Sequence, residues 1–328
     1  MNERAVTVHV RRGFSSGLWR AAARVIGPAG CEERIVRRQP VIWASLRAFT
    51  YLCERMEHDK ALRLGARAAG MVEFFSRRRV SRARSRVTRM LGVPEKKSRE
   101  IISGAYRHFG MALVEFIRLP QIYPEIEKWV EVRGIENIRK ALERGKGAIF
   151  LSAHIGCWEY GAAACAKLGI PMNAIGAEQR DYRITQAIAN LRARAGVNPL
   201  GKGLDLRAAI ECLRKNEVLA VLLDQDAKKA GVMSPFLGHL ASTPIGPVKL
   251  AHKIGSAVLP AHITRDDGGA RMTLVIDRPL EGKNGRPFGE DLQYAADRCN
   301  EVISGWIRKN PEQWMWMYPR WASTLNDV

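Results

Sequence analysis

No run of about 18 apolar residues free of charge occurs in this 328-residue chain, so no segment qualifies by length as a membrane-crossing helix. Cysteine is sparse and has no pattern. Its six positions (31, 53, 157, 165, 212 and 299) form no C-x-x-C pair and no zinc-type grouping with histidine, which excludes a zinc module and leads us to expect a reducing compartment. The first residues carry no apolar stretch ahead of Arg11 and Arg12, so a cleaved secretory signal is not expected. There is no G-x-S-x-G elbow, which disfavours a serine-nucleophile hydrolase, and no internal repeat. Acidic residues are scarce: 33 Asp and Glu face 53 Lys and Arg, for a net charge of +20. The excess is concentrated at one end, because residues 1–110 hold 24 Lys and Arg against nine Asp and Glu. Such asymmetry points to an anionic partner for that third: nucleic acid, an anionic membrane surface or an acidic carrier protein. No zinc finger, RNP motif or GXXG clamp accompanies the charge, so nucleic acid is the weakest of the three.

What is present divides at Pro124. Before it, residues 1 to about 40 are rich in glycine and arginine without periodicity and read as a weakly structured arm. From Val41 to about Gly70, apolar residues recur at helical spacing among arginines, the pattern of an amphipathic helix able to meet lipid phosphates or to show solvent a basic face. Residues 77–99 form the strongest basic run, and a further helix is expected from Ser98 to Arg118, ended by Pro120 and Pro124. After Pro124 short apolar strands alternate with helices. Strands are expected at 147–153, 170–175, 218–223, 257–263 and 272–276, and helices at 135–144, 159–168, 246–254 and 291–308. This rhythm predicts an α/β fold with a mainly parallel mixed sheet flanked by helices, preceded by a basic all-helical region. The expected division is a helical, membrane-associating segment at 1–124 and an α/β core at 125–328.

The stretch Leu151-Ser-Ala-His154-Ile-Gly-Cys-Trp-Glu159 carries the chemistry. A spacing of five within one helix would put His154 and Glu159 on different faces. His154 is therefore expected in the strand-to-helix turn, with Glu159 reaching back from the first helical turn. A carboxylate holding one imidazole nitrogen fixes the tautomer and leaves the other free to take a hydroxyl proton. By itself, H-x4-E reads equally as a loop histidine followed by a helix-start glutamate that the macrodipole favours. Asp224 closes another strand, and ligands of open α/β sheets gather at the carboxyl ends of strands, so it is expected to share the His154 cleft. Asp224 and Asp226 are candidate metal ligands or, more simply, a strand-end pair bound to a basic neighbour.

These elements resemble the late acyltransferases of lipid A biosynthesis, within the lysophospholipid acyltransferase superfamily. H-x4-E is joined by Leu191-Arg-Ala-Arg-Ala-Gly196, by Leu223-Asp-Gln-Asp226 with Gly231-Val-Met-Ser-Pro-Phe-Leu-Gly238 and Thr243-Pro-Ile-Gly246, and by Pro311-Glu-Gln-Trp-Met-Trp316. They follow the family's order over about residues 147–321. One departure is Tyr318-Pro319-Arg320, where that family continues with His-Arg-Arg. The resemblance implies an O-acyltransferase that moves a fatty acyl chain from acyl carrier protein, or from acyl-CoA, to a hydroxyl of a lipid A precursor. A lysophospholipid or phospho-glycolipid acceptor is the alternative. It implies His154 as general base assisted by Glu159, and Arg192, Glu178, Asp224 and Asp226 as substrate-binding residues, with Pro235, Phe236 and Gly238 at the wall of an acyl pocket. No metal or cofactor beyond the acyl thioester is implied. The expected partners are acyl carrier protein, anionic lipids and the glycolipid acceptor, with no nucleic acid, at the cytoplasmic face of the inner membrane.

Overall fold

The structure, a computed structural model, describes residues 31–176, 179, 181–201, 206–267 and 269–325, with side chains from residue 43 onward. Four helices come first: α1 (Cys31–Arg55), α2 (His58–Phe75), α3 (Arg77–Leu91) and α4 (Glu95–Ile122). Helix α1 begins inside the stretch that composition marks as an arm, and residues 1–30 lie outside the described set. The single helix expected over 41–70 is two. Arg118 donates from its guanidinium to the carbonyls of Cys53 and Met56, which satisfies the open carbonyls at the end of α1 and lets the chain turn. Helix α4 also differs from expectation, running through Pro120 to Ile122. A helix-interior proline costs about 3 kcal/mol. Leu119 just before it and Ile122 beyond it are buried, and each contributes about 1.5–3 kcal/mol, enough to hold the last turn.

The basic run forms α3 because its apolar positions fall on one stripe. Val80, Ala83, Val87 and Met90 are buried while Arg77, Arg78, Arg82 and Arg89 face outward. Gly92 closes α3 in the left-handed conformation with φ +64°. Helices α2 and α4 touch through glycine: a Cβ on Gly65 would stand 2.5 Å from the Gly110 carbonyl oxygen.

The remainder alternates as expected. Its elements are β1 (Val130–Arg133), α5 (Ile135–Leu142), β2 (Ala148–Ser152), α6 (Trp158–Lys167), β3 (Met172–Ile175), α7 (Tyr182–Ala193), β4 (Val197–Leu200), α8 (Leu206–Arg214) and β5 (Val218–Leu222). After them come β6 (Val232–Phe236), β7 (His239–Thr243), α9 (Gly246–Ile254), β8 (Ala257–Arg265), β9 (Met272–Ile276) and α10 (Leu292–Lys309). Seven strands make one sheet in the order β1-β9-β8-β2-β5-β3-β4. All pairings are parallel except β8 with β9. Strands β6 and β7 form a separate antiparallel hairpin that periodicity does not announce.

Side chains of β2 alternate between two cores. Ile149 and Leu151 join the core shared with α3, α8, α9, α10 and the first half of α4. Ala148 and Phe150 join the core shared with α5, α6 and the second half of α4. Helices α3 and α4 thus share interiors with the sheet, while α1 and α2 pack on α4 in a smaller cluster of Cys53, Ala61, Leu62, Val114 and Ile117.

Candidate active site

Strands β2 and β5 run side by side with Ser152 opposite Leu222, and the Leu223 amide donates to the Ser152 carbonyl at 3.0 Å. Two residues further along each chain, this register brings His154 and Asp224 together at the carboxyl ends. The His154 Nδ1 lies 2.7 Å from Asp224 Oδ1, and the His154 backbone amide donates to Oδ2 at 2.8 Å. Trp314 Nε1 donates to the same Oδ2 at 2.8 Å. Asp224 is 2% exposed. Burial alone would raise its carboxyl pKa, but the His154 and Trp314 donors outweigh burial and hold it below the ordinary value, so the group is ionised. An anionic acceptor at Nδ1 selects the tautomer with its proton there and leaves Nε2 basic. Among the described residues none bonds Nε2. Trp158 packs edge-on against the imidazole, with centroids 4.9 Å apart.

The expected His154–Glu159 contact is not formed. Glu159 sits in the first turn of α6, and its carboxylate is taken by the guanidinium of Arg192, with Nε to Oε2 at 2.9 Å and one terminal nitrogen to Oε1 at 2.6 Å. Trp158 Nε1 adds a third donor at 3.2 Å. The reason is direction. The end of α7 presents Arg192 to the face of α6 that carries Glu159, and the guanidinium engages both carboxylate oxygens there. Burial would lower the Arg192 pKa, but the Glu159 charge raises it above its ordinary value. The H-x4-E stretch therefore feeds two adjoining pairs, His154–Asp224 and Glu159–Arg192. Asp224 is the carboxylate bound to the imidazole, in the place expected for Glu159.

The second pair borders a fissure of about 50 Å³ between α6 and the sheet. Phe150, Ala174, Ala220, Ala261, Ile263 and Leu274 are among its walls, so apart from Ser152 and the Glu159–Arg192 pair the lining is apolar or the indole of Trp158. Asp226 stays apart from Asp224: Ser323 Oγ donates to its Oδ2 at 2.6 Å and the Lys228 amide to Oδ1 at 3.2 Å. These contacts fold its loop, and Tyr318, at the departure noted above, accepts from the Asp226 amide at 3.2 Å. Glu178 lies outside the described residues. Phe236 does not line the fissure; it is fully buried against Trp314 and Trp321, with centroids 5.7 and 5.6 Å away.

The tail explains its own sequence. Met315 N donates to the His154 carbonyl at 3.2 Å, and Gly156 N donates to the Gln313 carbonyl at 3.1 Å, so residues 313–315 pair with the histidine turn like a short strand. Gln313 in turn brackets Arg265, accepting from its amide at 2.7 Å and donating to its carbonyl at 2.9 Å. Arg265 is locked to Glu115 of α4, both oxygens at 2.6 Å, with the two side chains at most 1% exposed. Gly156, at φ +59°, closes the turn where a Cβ would collide with the Ile263 carbonyl. The Pro311–Trp316 motif names Trp314 but not its hydrogen bond to Asp224. The signal was the indole two residues before Trp316 in an otherwise polar stretch, which says burial but not donation.

An imidazole held by a carboxylate at the carboxyl ends of neighbouring parallel strands, packed on an indole that lines a mostly apolar fissure, is an arrangement able to take a proton from a hydroxyl. Residues 31–323 match the model of the family described as bacterial lipid A biosynthesis acyltransferase. The chain belongs to this family and is an acyltransferase. It is 27% identical over 265 residues to a lipid A biosynthesis palmitoleoyltransferase of Escherichia coli, covering 79% of this chain and 84% of that protein. It is 24% identical over 293 residues to a phosphatidylinositol mannoside acyltransferase of Mycobacterium tuberculosis, covering 87% and 88%. A lipid A biosynthesis lauroyltransferase of Escherichia coli matches at 26% over 240 residues, covering 71% and 76%.

Proposed function

We propose that this enzyme transfers a fatty acyl group from an acyl thioester, carried by acyl carrier protein or coenzyme A, to a hydroxyl of an anionic glycolipid. A lipid A precursor is the first acceptor to try, and a phosphatidylinositol mannoside type is the second, because relatives named for each match at similar identity. The observation that carries the reading is the His154–Asp224 pair with Nε2 uncommitted, its imidazole packed on Trp158, which lines the fissure. His154 Nε2 takes the proton of the acceptor hydroxyl as its oxygen attacks the thioester carbonyl. Asp224 stabilises the resulting imidazolium. Collapse of the tetrahedral intermediate forms the ester, breaks the C–S bond, and the imidazolium returns its proton to the departing thiolate.

Glu159 and Arg192 serve beside the base rather than as part of it. Their pairing puts one charged, mutually neutralised pair into the otherwise apolar lining of the fissure. Both oxygens of Asp224 and both of Asp226 are already engaged by donors, which supports acyl transfer without a metal at that pair. Action at an inner-membrane surface fits the basic N-terminal helices, and among the described residues no helix is long and apolar enough to cross a membrane. The deciding experiment incubates the enzyme with each thioester and each acceptor and reads the mass added to the glycolipid. A His154→Ala protein that folds and still acylates would overturn the mechanism.

A further inference from the structure

Helices α2 and α3 meet at Ser76 in an elbow whose surface is apolar on one arm and basic on the other. Helix α2 meets its neighbours through Ala61, Leu62 and Gly65. Met71, Val72, Phe74 and Phe75 lie beyond that stripe and stand in the open, Phe74 at 65% and Phe75 at 82% exposure. Four large apolar side chains clustered within five positions mark an interaction site rather than ordinary surface. The facing arm carries Arg77, Arg78, Arg82 and Arg89 exposed.

Between the arms lies a cleft of about 1000 Å³, lined among others by Phe74, Arg77, Ser81, Arg84, Ser85 and Arg89. Its two acids are already opposed by cations. Glu73 lies 3.6 Å from Arg84, and Glu95 pairs with Arg99 at 2.5 Å. The Arg84 Nε is buried with no hydrogen-bond partner. Cations with hydroxyl groups between them suit a phosphate, and the aromatic pair beside them suits hydrocarbon. An acidic protein would account for the arginines but leave Phe74 and Phe75 in water. An anionic lipid surface accounts for both.

We propose that this elbow is the membrane-docking point: Met71, Val72, Phe74 and Phe75 enter the acyl boundary of an anionic lipid surface while the cleft arginines hold a lipid phosphate. The proposal rests on the reading of the chain as a glycolipid acyltransferase and names the surface by which it reaches its acceptor. Helix α3 is also tied to the chemistry. Buried Arg86 donates to the Trp316 carbonyl, two residues beyond the indole that holds Asp224, so a docked elbow fixes the histidine turn relative to the lipid.

The test is co-sedimentation of the full chain with phosphatidylcholine vesicles, phosphatidylglycerol added or omitted, beside turnover measured in detergent micelles. The double variant Phe74→Ser/Phe75→Ser should lose roughly tenfold or more in vesicle affinity. Arg77→Gln/Arg89→Gln should lose about fivefold per arginine, on anionic vesicles only. Both should keep their thermal midpoints and their turnover in micelles, because the altered side chains are exposed. Vesicle binding equal to that of the parent chain would overturn the proposal, as would arginine variants that lose soluble acyl carrier protein yet still bind vesicles. Elbow-dependent vesicle binding by a parent chain that acylates no glycolipid would refute the functional reading and leave the docking surface standing.

Discussion

Replacing Asp224 with asparagine separates the two ways in which the H-x4-E stretch can work. The carboxylate receives three N–H groups: the His154 ring at Oδ1, and the His154 amide and Trp314 indole at Oδ2. An asparagine has one oxygen. Placed at the Oδ2 position it keeps two of the three bonds, and its NH2 group then faces His154 Nδ1. Two donors cannot share that contact, so the imidazole moves its proton to Nε2 and presents a donor where a base is needed. The opposite amide orientation keeps the ring bond but sets an NH2 against two buried donors, and each stranded donor costs about 1–3 kcal/mol. The first orientation prevails, the fold survives and the tautomer is wrong. Loss of the correct tautomer and of imidazolium stabilisation in a histidine–carboxylate pair lowers turnover by up to about 10⁴-fold in the serine-protease precedent, so we expect kcat to fall by about 10²–10⁴-fold. KM for the thioester should change little, and the thermal midpoint should stay near that of the parent. The assay is acyl transfer to glycolipid followed by mass spectrometry, with a pH profile for each variant. A folded Asp224→Asn enzyme with near-normal kcat would refute the assignment, more so if Glu159→Gln lowered kcat in its place.

Other perturbations have different signatures. Arg192→Ala leaves Glu159 buried without its cation, which should cost about 3–5 kcal/mol, and chemical denaturation should show the loss together with reduced activity. Glu115→Ala does the same to Arg265, whose side chain is 1% exposed, at a cost of about 3–5 kcal/mol; the denaturant midpoint should fall, and turnover with it, because Arg265 anchors Gln313 and the histidine turn. Burial lowers His58, His108 and His262 to about 4 from 6.5. The folded state therefore keeps them neutral where the unfolded chain protonates them, so stability present at neutral pH is lost as pH falls from about 6.5 toward 4. Near pH 5 unfolding should take up two to three protons on this account, and His262→Phe should remove roughly one of them from the slope of stability against pH. Exhaustive chelation should leave acyl transfer intact; turnover restored only by a divalent cation would show that Asp224 or Asp226 had been misread.

How much of this was legible depends on the kind of information each feature uses. The strands β2, β5, β8 and β9 and the helices α6, α9 and α10 announce themselves, because a buried parallel strand is a short apolar run and a covering helix repeats at 3.6 residues. The hairpin of β6 and β7 does not: Pro235 stands in one strand and polar Ser234 and Ser242 are buried, so neither periodicity nor propensity marks it. The break between α1 and α2 depends on Arg118, more than sixty residues away, and no local window contains it. The candidate site follows the same rule. His154, Glu159, Arg192 and Asp224 could all be picked out, since each ends a strand or opens or closes a helix. Which carboxylate meets which cation could not, because that is decided by the register of β2 on β5 and by where α7 ends against α6. Sequence proximity favours Glu159 for His154, but the sheet supplies Asp224 seventy residues on, with Trp314 brought from the tail to hold it. The tail itself makes the point in energetic terms. Buried tryptophans at 314, 316 and 321 look like core, and they are; yet one indole N–H, worth about 1.5–3 kcal/mol when its acceptor is charged, is what ties that core to the carboxylate of His154's partner. A substitution such as Trp314→Phe keeps nearly all the packing and removes only that bond, so any fall in turnover beyond its effect on stability reports the positioning of Asp224 alone.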